Sequence, residues 1–135
     1  MDSILSSIKQ LLGIQVADKS FDQELVIHIN SVLAVLNQLG VGPTDGFVII
    51  DETQKWSDFI SIRKDLELIK DYVYLKVRLL FDPPQNSFLV DSIKEQIQEL
   101  EWRINTQISF QESSDGQIVI NNFLTGVEDD ENEGK

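Results

Sequence analysis

The side chains that most often carry catalysis are sparse in this sequence, and their spacing does not bring them together. The only histidine, His28, falls within the apolar arc of a predicted helix, without an obvious serine, cysteine or second histidine as a partner. A structural role is therefore favoured over that of a catalytic base. The carboxylate pairs Asp51–Glu52 and Glu99–Glu101 are adjacent or two residues apart, and residues so spaced do not converge on one face of a helix. These patterns favour a protein that is not an enzyme.

Sites for metals and cofactors are not apparent either. The chain contains no cysteine, which excludes disulfides and thiolate metal sites and indicates synthesis in a reducing, intracellular compartment. Adjacent acids such as Asp51 and Glu52 bind divalent cations weakly in loops, but no calcium-loop spacing accompanies them. No glycine motif that cradles phosphate is present. We therefore expect no catalytic residue, no metal and no cofactor.

The composition predicts an acidic protein with one main domain. The 135 residues are 41% hydrophobic and 25% charged, with a formal net charge of −12. A net negative charge argues against a free-standing nucleic-acid binder, because phosphate neutralisation needs clustered Lys and Arg. It leaves open a protein along which DNA slides without being bound. No apolar stretch approaches the roughly 20 residues of a membrane span, and the first residues lack the basic start and cleavage site of a signal peptide.

Hydrophobic periodicity predicts a mainly α fold, a small bundle of about four helices of which two to three are long, with a short β or extended C-terminal arm. In chain order, the first helix follows Asp2 and Ser3, which can cap it, and ends at Gly13. The second runs from a capping box at Ser20–Gln23 to Leu39. The third spans about 62–81 and is stopped by Asp82-Pro83-Pro84, and the fourth is capped by Asn86 or Ser87. Between the second and third, Phe47–Ile50 is either a short strand or an extended arm, and Trp56–Ile60 is one helical turn.

The sequence divides into a helical domain over 1–105, an extended or hairpin arm over 106–127, and an acidic disordered tail over 128–135. Within the arm, Ile108 and Phe110 alternate with polar residues, and Ile118 and Ile120 follow a turn at Ser114-Asp115-Gly116. Two interpretations remain open. The arm adds to a neighbouring subunit or partner protein, or it is a self-contained hairpin packed on its own bundle.

The third helix is apolar over most of its circumference, and this surface must be covered on several sides. Lys76 falls inside the apolar arc, whereas Arg78 lies on the polar one. Either Lys76 extends its ammonium to water from the edge of that arc, or it meets an acidic group on a neighbouring chain.

The fourth helix carries two aromatic residues, Phe88 and Trp102, on the side opposite its apolar stripe of Leu89, Ile93, Ile97, Leu100 and Ile104. One buried face cannot hold both the stripe and these rings. Either the chain's own loops cover the rings, or they are anchors of an oligomer or partner interface.

Several segments together resemble one protein family. They are MDSILSSIKQLLGI, FDQELVIHINSVLAVLNQLGVGP, the turn Trp56-Ser-Asp-Phe59, YVYLKVRLLFDPP and SIKEQIQELEWRIN. In order and spacing, over about residues 1–105, the chain is similar to the head–tail connector, or adaptor, proteins of long-tailed double-stranded DNA phages, in the variants found with Gram-positive hosts. The segment from Thr106 onward lies outside the resemblance.

The resemblance implies a non-enzymatic virion protein, made in the cytoplasm of a bacterial host and located in the neck at the portal vertex. A closed ring of about twelve copies would lie between the portal protein and the stopper or tail, and would extend the DNA channel. Partners would be the portal and the stopper, without a membrane and without sequence-specific DNA binding. Candidate interface residues are Lys76, Arg78, Phe88, Trp102, Ile108, Phe110, Ile118 and Ile120. The competing class is a small acidic chaperone or regulatory protein that acts transiently in assembly.

Overall fold

Five helices and no strand lie within the residues that the computed structural model describes, which are 3–60 and 66–114, with side chains described as far as Thr106. They are α1 (Ile4–Leu11), α2 (Asp22–Gln38), α3 (Trp56–Phe59), α4 (Leu66–Phe81) and α5 (Ser87–Ser114). The prediction of a mainly α bundle is confirmed. None of these helices is long and apolar enough to cross a membrane.

The centre of the bundle is α4, the helix whose sequence is apolar nearly all round. It packs against α2 and against α5 and also touches α1, whereas α2 and α5 make little direct contact with each other. Its buried residues are Ile69, Tyr72, Val73 and Val77. Since burial contributes about 25 cal/mol per Å² of apolar surface, covering α4 within one chain is a principal source of the domain's stability.

Lys9 joins α1 to the loop after it and to the start of α2. Its side chain is only 2% exposed, and Nζ lies 2.7 Å from Asp22 Oδ1. The same ammonium donates to the carbonyl oxygens of Val16 at 3.0 Å and Asp18 at 2.6 Å. A buried charge is tolerated only when it is paired and hydrogen-bonded, so these three oxygens fix the path of the loop.

The capping box predicted at Ser20–Gln23 is wrong. The α2 helix begins at Asp22, with Phe21 as the N-cap residue and no side-chain cap hydrogen bond. The N–H of Ser20 instead donates to Asp18 Oδ1 at 3.0 Å. A tertiary ion pair from Lys9 to the first turn of α2 stands where a local cap was expected. The cap predicted at Ser3 for α1 is confirmed, since its Oγ accepts from the N–H of the third following residue.

The segment between α2 and α3 is irregular in structure but firmly attached. Asn30 on α2 donates Nδ2 to the carbonyl oxygen of Ile49 at 3.0 Å, and its Oδ1 accepts from the N–H of Ile49 at 2.7 Å. Gln54 Oε1 accepts from the N–H groups of Ile50 and the next residue, at 2.6 and 2.9 Å. Two side-chain amides thus satisfy the backbone that a neighbouring strand would have paired, and the strand predicted as one alternative for Phe47–Ile50 is wrong.

Trp56, the first residue of α3, joins three helices. Its side chain is fully buried, and Nε1 donates to Ser7 Oγ on α1 at 2.8 Å. Lys70 Nζ on α4 lies 5.8 Å from the centroid of the ring, within the range of a cation–π contact. The predicted single helical turn is confirmed, and one indole fixes it to α1 and α4.

The last helix is longer than the sequence suggests. As predicted, α4 stops before Asp82-Pro83-Pro84 and α5 begins at Ser87, but α5 continues over 28 residues to Ser114. Extending an existing helix adds a hydrogen bond per residue without a new nucleation cost, and this outweighs the short alternation at Ile108 and Phe110. The first part of the predicted arm, 106–114, is therefore helical rather than extended. Residues 115–135, with the rest of the arm and the acidic tail, lie outside the described residues.

Substitutions at Gly42 and Gly46 test the packing of the segment between α2 and α3. Both glycines have a left-handed backbone, with φ of +91° and +90°. A Cβ at Gly42 would lie 2.5 Å from Cε1 of Phe59, whereas a Cβ at Gly46 would meet nothing within 4 Å. We expect Gly46→Ala to lower the free energy of unfolding by about 1 kcal/mol, from backbone strain alone. Gly42→Ala should lower it by roughly 2–4 kcal/mol, because overpacking against Phe59 is added. Urea unfolding measures both, and equal losses would contradict the described position of the Phe59 ring.

Candidate interaction surfaces

The residues singled out for chemistry have local structural roles. His28 is half-buried, with Nε2 at 3.5 Å from the carboxylate of Glu24 one turn earlier. Asp51 accepts from the hydroxyl and the N–H of Thr53 at 2.6 and 2.8 Å, and these bonds hold the pKa of that carboxyl below its usual value. Within 3–60 and 66–114, no group of three or more acids and histidines is placed to hold a metal ion.

The contact between α4 and α5 contains a phenol bonded to a carboxylate. Tyr72 is buried, and its OH donates to Glu101 Oε2 at 2.7 Å. Burial, and then the carboxylate of Glu101, raise the pKa of Tyr72 well above its usual range, so the phenol stays a neutral donor. This bond fixes α4 against the part of α5 that carries Trp102.

The two cations predicted at an interface both lie next to aromatic rings of their own chain. Lys76 is half-buried, with Nζ at 5.8 Å from the centroid of the Tyr72 ring. No carboxylate of the described residues lies within ion-pair distance of it. Arg78 donates to the OH of Tyr74 at 3.2 Å. A contact of Lys76 or Arg78 with a neighbouring chain stays a prediction.

A cleft of about 350 Å³ opens between α4 and α5. Leu75 and Leu100 line it together with Asp71 and the pair Glu99–Arg103, in which the guanidinium lies 2.6 Å from the carboxylate. Burial, and then the charge of Glu67, raise the pKa of Asp71. Tyr74 and Gln96 complete the lining, so the cleft is a small mixed surface in which Glu99 and Arg103 already bind each other.

Phe88 and Trp102 form an exposed aromatic face on α5. Phe88 is 76% exposed and Trp102 is 67% exposed, so the described part of the chain does not cover them. They are fourteen positions apart, which at about 100° per residue places them roughly 40° apart around the helix and about 21 Å apart along its axis. This pair, here called the aromatic face, lies away from the buried Ile93 and Ile97 that pack on α4.

A second exposed apolar surface was not predicted from the sequence. Ile27 on α2 is 64% exposed, and Val48 and Ile50, which flank Ile49 in the segment before α3, are 62% and 75% exposed. Asn30, one turn beyond Ile27, holds the intervening Ile49 against α2. Ile27, Val48 and Ile50 are here called the α2-side patch. The sequence carried one indication of this patch, because Ile27 falls outside the apolar stripe of its helix.

The other predicted interface residues are at the end of α5 or beyond it. Ile108 and Phe110 lie within the last turns of the helix, where side chains are not described. Ile118 and Ile120 lie outside the described residues. Their role at an interface stays a prediction.

Replacing Tyr72 by Phe tests the α4–α5 bond. At neutral pH we expect Tyr72→Phe to lower the free energy of unfolding by roughly 1.5 kcal/mol, since a hydrogen bond to a charged acceptor is lost. Above about pH 10 the unfolded phenol ionises while the folded one does not, so the wild-type advantage should shrink as pH rises. Urea unfolding from pH 7 to 11 measures this.

Tyr74→Phe is the matched control, because it removes a phenol hydroxyl that is only half-buried and is bonded to Arg78 at 3.2 Å. Its expected cost is below about 0.5 kcal/mol. Similar losses for the two variants at neutral pH would contradict a structural role for the Tyr72–Glu101 bond.

Comparison with known proteins gives one result. A family model described as phage connector protein matches residues 4–111, which span α1 to nearly the end of α5. No curated protein and no solved structure matches the chain.

Proposed function

We propose that this chain, which belongs to the phage connector family, is a structural subunit of the neck that joins a phage head to its tail. The observation that carries the proposal is the family match, because it covers nearly all of the described helices. In this role the chain forms a ring of about twelve copies between the portal protein and the stopper or tail, as closed cyclic assemblies do. The ring extends the channel through which DNA leaves the head.

The charge of the chain supports passage of DNA rather than binding. With a net charge of −12, a ring of these subunits presents a field that repels phosphates. DNA can then pass without adhering to the wall. No base-specific contact is needed for this function.

The surfaces of the domain support assembly with other chains. A ring subunit needs apolar surface beyond its own core, and the aromatic face supplies it with Phe88 and Trp102 exposed. Large exposed aromatic side chains are typical anchors of protein interfaces. We place them, with Lys76 and Arg78 on α4, among the residues that contact a neighbouring subunit or the portal.

Removing the chain from the phage that encodes it tests the proposal. We expect DNA-filled heads and separate, complete tails, because the joint between them is missing. Protein mass spectrometry of purified wild-type particles should also detect the chain at a fixed multiple of the tail-tip proteins. A transient assembly chaperone would be absent from finished particles. Detection of this chain only in unassembled lysate would therefore overturn its assignment to the neck.

We further propose that the segment beyond α5, with Ile118 and Ile120, contacts the neighbouring subunit or the portal. Deleting residues 115–135 should leave the helical domain folded, with an unchanged circular-dichroism melting temperature, and should abolish binding to portal-containing heads. The matched control deletes only 128–135, which removes the acidic end and keeps both isoleucines. Undiminished head binding by the longer deletion would contradict an intermolecular role.

A further inference from the structure

We propose that the α2-side patch of one copy binds the aromatic face of the next, so that copies of this chain join head to tail. The inference rests on the proposed ring function and assigns the two surfaces that would form the ring. Ile27, Val48 and Ile50 on one copy would pack against Phe88 and Trp102 on its neighbour.

The order of the helices places these two surfaces on different sides of the subunit. Because α4 packs against both α2 and α5, while α2 and α5 hardly touch, α4 separates them. The α2-side patch therefore lies beyond α2 and the aromatic face beyond α5. Two different surfaces, one on each side, are what a heterologous contact requires, whereas a two-fold dimer would use one surface twice.

The exposed apolar area is of the size that an interface needs. At roughly 150–250 Å² for each aromatic side chain, the exposed fractions of Phe88 and Trp102 leave about 300 Å² of apolar surface in water. A standard interface buries roughly 450 Å² of apolar area on each partner. The two rings alone supply most of that amount.

The distribution of charge favours this pairing over contact between two aromatic faces. Asp91 and Glu95 are exposed on the same side of α5, between Phe88 and Trp102. Two such faces in contact would bring four carboxylates together, which is repulsive.

Along α2 from Ile27, the exposed residues toward the C-terminus are the uncharged Ser31 and Ala34. One turn toward the N-terminus lies the exposed Glu24, whose carboxylate is 3.5 Å from His28 Nε2. The acids that follow Ile50, Asp51 and Glu52, have Lys19 beside them, with its Nζ at 3.7 Å from Glu52. The acidic aromatic face therefore meets less repulsion on the α2 side of a second copy than on another aromatic face.

Cysteine cross-linking in assembled necks tests the pairing, because the chain has no cysteine of its own. Phage particles carrying the double variant Ile27→Cys/Trp102→Cys are treated with a short bismaleimide and analysed on denaturing gels. We expect a ladder of multimers, and only monomers from either single variant. The matched control, Ile27→Cys/Lys94→Cys, places its second thiol at an exposed position on another side of α5 and should give no ladder. If replacement of Trp102 disrupts the fold, the double variant Ile50→Cys/Phe88→Cys provides an independent pair.

Each outcome is decisive for the pairing. Dimers from a single variant, through Ile27 to Ile27 or Trp102 to Trp102, would overturn the head-to-tail contact. Particles that contain the chain but yield no ladder from either cysteine pair would overturn the assignment of these surfaces and leave the neck function standing. Absence of the wild-type chain from purified particles would overturn the neck function, and the pairing with it.

Discussion

The structure depends on the need to cover α4. A helix that is apolar round most of its circumference must be covered, and this chain covers much of it with α2 and α5, with α1 adding a smaller contact, while Leu80 stays 50% exposed. Four of its side chains are buried as a result. The same arrangement keeps α2 and α5 apart and leaves each with an outward side. What the protein can bind is then set by the residues on those outward sides.

A few polar contacts hold the remaining segments to this layered core. Lys9 secures the α1–α2 loop, Asn30 secures the segment before α3, and the indole of Trp56 joins α3 to α1 and α4. Buried polar groups add modest net stability, but leaving one unpaired is costly, so each contact selects one path for the chain. Irregular loops are thereby fixed well enough to present Val48 and Ile50 at a defined place.

The sequence indicates the helices better than it indicates their junctions. Apolar periodicity found α4 and the buried stripe of α5, and Asp82-Pro83-Pro84 marked the turn between them, because these signals are local. The start of α2 was misplaced since Asp22 is bound by Lys9, thirteen residues earlier, and no local pattern records such a contact. The end of α5 was misplaced since two alternating residues carry less weight than the continuation of a helix. For the surfaces, Phe88 and Trp102 stood out as rings outside a stripe, whereas the α2-side patch depends on how Asn30 holds Ile49, which only the folded chain shows.

Membership of the phage connector family and a subunit with two separated apolar surfaces lead to one account, in which this chain is a repeating unit of the neck. Its most direct test is a cryo-electron microscopy reconstruction of the neck of the phage that encodes it. The account predicts a closed ring beneath the portal, built of this helical domain, with α5 of each subunit facing the α2 side of the next. A neck in which no density fits the domain would contradict it.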